Sequence, residues 1–383
     1  MGVKLFITNK TTNLIGIQMI TVAYDPQIFL MQRHGGISRY FVELIKEFKS
    51  NPDLGINPVL MNPNVINEYA ISDLWEFGVN DCSGLLQPWR ELFLSLTARK
   101  KSPEWDVVHH TFYQKNFFKK YRSHLQAVTL YDMIPEITNT RGRFGNPHLA
   151  KEIYLKNCEL IFSISKSASE DARRIYDLPN LKTHLTYLAQ SSAFSNNSET
   201  NHPKKDEYIL FVGNRDGYKQ GNLLIEAISM LKDLDKFDLV FVGGGKFSST
   251  ELELISRLNL VGRVFQKEAS DIELTELYSQ AKLYVMPSLY EGFGLPALEA
   301  MSANCPVLLS NTSSLPEVGG NAAHYFTAGD KGSLAAAIKE IVTNVDVMRS
   351  MTVSGAAQVK KFSWNKCAEE TATAYRVALE AKG

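Results

Sequence analysis

Cysteine is scarce: there are four in 383 residues, Cys82, Cys158, Cys305 and Cys367, and no two form a CxxC pair. That spacing argues against a zinc ribbon or a disulfide scaffold and fits a reducing, cytoplasmic setting. An excess of one charge is also missing. Lys plus Arg number 41 and Asp plus Glu 41, a formal net charge of +0, so nothing indicates the basic face of a nucleic-acid partner. No apolar run approaches the roughly 18 residues of a membrane span. The opening residues MGVKLFITNKTTNLIGIQMI are interrupted by Asn-Lys-Thr-Thr-Asn, which makes a poor secretory signal, and Phe6 breaks the myristoylation pattern. No DxD-type metal motif stands in a suitable turn, so no metal is expected.

What the chain does have is length for about two domains and a repeated strand–turn–helix unit, the mark of parallel doubly wound α/β sheets. The most informative unit is PSLYEGFGLPALEAMSANCP, Pro287 to Pro306. An apolar strand, Leu283 to Met286, leads into a glycine-rich turn and then a helix expected to open at Pro296. Glu291 stands before the turn and Glu299 in the first turn of the helix. Gly292 and Gly294 allow close approach of backbone N–H groups to a ligand, and the helix N-terminus behind them makes a seat for an anion. A diphosphate with sugars at both ends, a nucleotide sugar, fits that pattern. The plain alternative is an ordinary βα turn with Glu299 as a cap partner.

Elsewhere the chain offers further candidates. QMITVAY reads as the first buried strand; Lys4 to Thr8 before it is either an extra strand or part of an extension. Gly35-Gly36 close a loop, and Ile37 to Phe48 have helical periodicity. Arg33, His34 and Arg39 are candidate acceptor-side groups or solvated charges. Strand Val107-Val108 ends in His109 and His110, where open α/β sheets bind ligands. Ala127 to Leu130 ends in Tyr131 and Asp132 in the same way. The polar stretch SSAFSNNSETNHPKKDE places a domain boundary between residues 195 and 196. Beyond it, strand Tyr208 to Val212 runs into a turn from Gly213 to Gly217 flanked by Arg215 and Lys219. Two fixed cations there would stabilise a departing diphosphate; otherwise they are exposed charges near a helix start. Glu317 reads as a helix cap or structural group. WRELFLSLTARKK and KNFFKKYRSH mix basic and aromatic residues, and read either as a peripheral contact with an anionic membrane surface or as solvated faces.

EGFGLPALEAM resembles the signature of the family 4 retaining glycosyltransferases, enzymes of the GT-B fold. GGISRYFVEL and FVGNRDGYK resemble further parts of it, so the likeness covers about residues 19 to 380. It implies two Rossmann-like domains facing a central cleft. These would be 1–195 on the acceptor side, 196–363 for the donor, and a helix, 364–383, that crosses back to the first. Glu291 is then expected at the transferred sugar and Glu299 on the ribose. The backbone of Gly292, Phe293, Gly294 and Leu295 would meet the diphosphate, with Gly35, Gly36, Gly213 and Gly244 also at the donor. Lys219 falls on the family lysine. The family arginine before it is replaced by Tyr218, with Arg215 as stand-in. Asp132 is carried over, but the family histidine before it is Tyr131 here, which takes no histidine role. Arg39, His109 and His110 are the acceptor-side candidates.

The resemblance implies a metal-independent, retaining enzyme without cofactor. It would move a hexose, mannose first, from GDP-mannose or another nucleoside-diphosphate sugar to a saccharide or lipid-linked saccharide in polysaccharide synthesis. Its expected place is the cytoplasm, or the inner face of the membrane. The alternatives left open are a non-catalytic protein that binds sugar nucleotides on the same fold, and an epimerase or phosphorylase.

Overall fold

The computed structural model describes residues 19–61, 64–74, 80–81, 105–118, 121–139, 147–190, 207–234 and 236–382. The expected strand at Lys4 to Thr8, the basic stretch 89–101 and linker residues 191–206, with the 195/196 boundary, lie outside them.

Two six-stranded sheets, parallel throughout, carry the chain. In the first, β1 (Ile20–Tyr24), β2 (Ile56–Leu60), β3 (Trp105–His110), β4 (Ser123–Leu130), β5 (Leu160–Ser163) and β6 (His184–Leu185) stand in the order β2-β1-β3-β4-β5-β6. The second contains β7 (Tyr208–Val212), β8 (Asp238–Val242), β9 (Val264–Lys267), β10 (Leu283–Met286), β11 (Val307–Ser310) and β12 (His324–Phe326), in the order β9-β8-β7-β10-β11-β12. Strands such as LIFS and LYVM are buried at every position because helices cover both faces, which is why they read as unbroken apolar runs. Strand order reverses between β1 and β3 in one sheet and between β7 and β10 in the other. Such switch points open a crevice at the carboxyl ends of the strands.

Seven helices matter for the site: α1 (Gly36–Ser50), α2 (Lys166–Ile175), α3 (Ser249–Arg257), α4 (Asp271–Gln280), α5 (Leu295–Ser302), α6 (Leu315–Gly319) and α7 (Trp364–Glu380). α7 returns to the first half: Trp364 Nε1 donates to the Gln190 carbonyl at 3.0 Å, and Arg376 donates to the Leu54 carbonyl.

α2 is capped from two sides. Ser165 Oγ accepts from the Ala168 amide at 3.1 Å. The amides of Lys166 and Ser167 donate to Glu317, both at 2.8 Å. Glu317 is thus a cap, as expected, but of a helix in the other half of the molecule. Among the described residues no helix is long and apolar enough to cross a membrane.

Candidate functional site

The loops leaving β7 and β10 flank the switch point of the second sheet, and they bring Lys219 to Glu291. Lys219 Nζ lies 2.7 and 2.9 Å from the two carboxylate oxygens. Burial works against the Lys219 ammonium, but Glu291 outweighs it and holds its pKa above the ordinary lysine value. Next to this pair runs the glycine turn. Glu291's own amide donates to Ser313 Oγ at 2.9 Å. The amides of Gly292, Phe293 and Gly294 have no protein acceptor among the described residues. Gly294 has φ +107, a left-handed conformation that favours glycine, and it opens α5 with Pro296 at the second position. So a cation and three free N–H groups share one edge of the cleft, as an anion seat requires.

The opposite wall belongs to the first half. Gly36 starts α1, and Leu295 Cδ1 would lie 3.6 Å from a Cβ built on it. A Cβ on Gly292 would lie 2.4 Å from the Tyr131 carbonyl and 3.0 Å from Asp132 Cβ. The halves therefore meet turn to turn, and only glycine fits at 292. Gly35 is fixed from its own side, since its missing Cβ would sit 2.3 Å from Gln32 Oε1. Between the walls a cavity of about 210 Å³ is lined by Gly36, Tyr40, Asp132 and the Glu291–Leu295 turn, among others. That is room for a sugar-sized group, less than the several hundred Å³ of a pocket for a larger ligand.

Asp132 faces this cavity, with Oδ1 accepting from the Ile134 amide at 2.9 Å. Behind it lies a residue that sequence reasoning missed. Lys151, fully buried, donates to the Asp132 carbonyl at 2.7 Å and to Glu136 at 3.0 Å, fixing the loop. Tyr131 turns its hydroxyl inward to the Thr111 carbonyl at 2.8 Å. Only its backbone carbonyl meets the other half, so the position of the family histidine presents no side-chain donor to the cavity.

Glu299 is the fifth residue of α5, at the start of the second turn rather than in the first. It does not cap its own helix: its Oε2 accepts from Tyr278 Oη at 3.3 Å, and its Oε1 lies 3.5 Å from Arg39. Burial pushes its pKa up to about 7, against the opposing charge of Arg39.

Six further expected site residues have partners or places of their own. Arg215 is not free at the cleft. Its Nε bonds Glu251 at 2.6 Å, its Nη atoms reach the Gly243 and Lys246 carbonyls at 2.8 and 3.1 Å, and its guanidinium lies 4.8 Å from the Phe247 ring centroid. With Nε, Nη1 and Nη2 all engaged, it clasps the turns after β7 and β8 together. Gly244 serves the same clasp, because a Cβ there would lie 2.8 Å from Arg215 Nη1. His109 and His110 are fully buried rather than acceptor-facing. His109 bonds Tyr375 Oη at 2.6 Å and Thr129 at 2.8 Å, and burial lowers its pKa to about 3. His110 pairs with Asp25 at 2.7 Å and with Gln126 at 2.7 Å. Arg39, expected on the acceptor side, points to Glu299 and Asp271 instead. Gly213, with φ +125, turns the chain after β7 and donates to the Val242 carbonyl at 2.9 Å.

Comparison with known proteins fits this geometry. Residues 194–357 match the family described as glycosyl transferases group 1. O-antigen chain mannosyltransferase B of Escherichia coli is 28% identical over 367 residues, covering 89% of this chain and 96% of that one. The chain spans only 31% of the length of the serotype-specific mannosyltransferase WbdA of the same organism, at 29% identity over 61% of its own length. Sucrose-phosphate synthase from Thermosynechococcus elongatus superposes with TM-score 0.70 at 18% identity, over 94% of this chain and 100% of that chain. Two parallel sheets facing one cleft, a free-amide turn beside a lysine, and this set of likenesses lead to one assignment: the protein is a glycosyltransferase of the GT-B fold, with a glycosyl transferases group 1 domain in its second half.

Proposed function

We propose that the cleft takes a nucleoside-diphosphate sugar and transfers its hexose, with retention, to a saccharide or lipid-linked saccharide in polysaccharide synthesis. GDP-mannose is the first donor to test, given that curated relatives are named O-antigen mannosyltransferases. The observation that carries this reading is the Lys219–Glu291 pair set beside three unpartnered amides at a switch point. In this reading Glu299, one helical turn further on, takes the ribose diol.

Transfer on the donor's own face then proceeds as follows. The bond from the sugar's anomeric carbon to the diphosphate oxygen breaks, and the diphosphate carries away the electron pair. The acceptor oxygen bonds to the same face of the anomeric carbon and passes its proton to the departing diphosphate. Lys219 and the amides of Gly292 to Gly294 stabilise the charge that builds on the leaving group. Glu291 orients the sugar and restrains Lys219. In this reading the reaction uses neither metal nor cofactor. The acceptor lies along the first half. A membrane-bound acceptor would be met at the inner membrane face through the basic-aromatic segments, of which residues 115–118 and 121–124 are described.

The test is calorimetric titration of wild type and Glu299→Ala with a panel of nucleotides and nucleotide sugars. One nucleotide sugar is expected to bind at about micromolar strength, and Glu299→Ala to lose about tenfold or more. A panel in which nothing binds overturns the donor assignment. Donor binding without turnover on any saccharide would instead favour a non-catalytic protein, the outcome that the inward-turned Tyr131 hydroxyl supports.

A further inference from the structure

Glu299 is held by groups from both halves of the molecule. Tyr278 Oη, on α4 of its own half, donates to it. Arg39 comes from α1 in the other half, with Nη1 3.5 Å from Glu299 Oε1. Arg39 is itself anchored. Its Nη2 pairs with Asp271 and donates to Tyr69 Oη at 3.1 Å, and its guanidinium lies 4.6 Å from the Tyr69 ring centroid.

The charged or titratable groups that face Glu299 are therefore Arg39, Asp271, Tyr278 and Tyr284 of β10, with Tyr69 behind Arg39. Among the described residues Arg39 alone of these brings positive charge. Burial disfavours the carboxylate and Asp271 repels it; Arg39 opposes both. A carboxylate is an acceptor only, whereas a protonated carboxyl spends one oxygen as a donor.

We propose that Arg39 is a positioning residue for the donor: reaching across the cleft, it favours the ionised, purely accepting form of Glu299 that binds a ribose diol. The inference rests on the ribose reading of Glu299 given above. Because Arg39 and Glu299 belong to different halves, the grip on ribose is complete only while α1 lies against α4 and α5. Nucleotide binding and the approach of the halves then favour each other equally, by linkage.

GDP, UDP and ADP share the ribose and serve as probes, titrated by calorimetry from about pH 6 to about pH 9, a range that spans the carboxyl's transition. The proteins are wild type, Arg39→Met, Arg39→Lys and Glu299→Gln. Arg39→Met should bind the tightest of the three nucleotides about tenfold more weakly near neutral pH. Most of that deficit should disappear at the alkaline end, where Glu299 ionises unaided. Arg39→Lys should stay near wild type, and Glu299→Gln should be weak at every pH. An Arg39→Met deficit that is constant with pH, that lysine does not rescue, or that is absent altogether overturns the proposal. If Glu299→Gln binds like wild type, or no nucleotide binds wild type, the ribose reading fails and this inference fails with it. If Glu299→Gln is weak and Arg39→Met is not, the inference about Arg39 alone fails.

Discussion

At the switch point between β1 and β3 the polar side chains satisfy one another; at the one between β7 and β10 three backbone amides have no protein acceptor among the described residues. In the first, the fully buried Asp25 accepts from the Thr111 amide and hydroxyl at 3.0 and 2.7 Å and from Gln27 Nε2 at 2.6 Å, and it pairs with His110. In the second, one Lys–Glu pair stands beside three amides without partners. The two sheets are alike in direction and number of strands, so topology alone does not decide where a ligand binds. What decides it is whether the polar groups at the crevice are already paired. Amides that line a cavity remain able to donate to a ligand, whereas groups already paired do not.

The comparison can be broken most forcefully at Lys219. Lys219→Met should lower kcat about 10²- to 10³-fold, the range for loss of one group that stabilises developing charge, in protein that still shows a cooperative unfolding transition. A variant with kcat within a few-fold of wild type would remove Lys219 from the chemistry. At the first switch point the effect should be on stability. Asp25→Ala strands His110 and Thr111 in the core, and by analogy with broken buried pairs should cost about 3–5 kcal/mol in urea unfolding. The pH dependence has a definite sign. Burial alone would raise the Asp25 pKa, but His110 and Thr111 hold it below the ordinary carboxylate value. Its stabilising contribution is therefore present above that ordinary value and is lost as pH falls through the lowered one. The finest test is Arg215→Met, which separates clasp from catalyst. It should cost about 1–3 kcal/mol in urea unfolding, because Glu251 loses its cation, yet change kcat far less than Lys219→Met does. Equal losses of kcat would return Arg215 to the cleft.

Most strands of both sheets are legible in the sequence because they end in a glycine or polar turn followed by a helical period, and that local pattern survives burial; β2 and β12 stand outside the strands read from it. The donor turn is legible for the same reason: Gly292, Gly294 and Pro296 each answer a backbone requirement. Long-range partners are not legible. Glu251 already has a local explanation, a capping box with Ser248, so nothing nearby signals that it also holds Arg215. His109 and His110 alternate along β3, and an open strand would turn one of them out; a parallel sheet covered on both faces buries both. Lys151 sits in KEIYLKN, which reads as a charged surface helix until the loop bearing Asp132 and Glu136 folds over it. Arg39 is polar on an amphipathic helix, and only the packing of the two halves shows that it faces Glu299.

Glu317 has a consequence of a mechanical kind. It completes the first turn of α2 from the opposite half of the molecule, so α2 keeps all its caps only while the halves are together. Any excursion that parts α6 from α2 leaves two amides bare. A cap of this type is worth about 1 kcal/mol, roughly fivefold in a population ratio. This one contact thus weights the molecule toward its shut state. Glu317 does not line the cavity, yet the two amide hydrogen bonds it accepts tie the halves together at a distance from it.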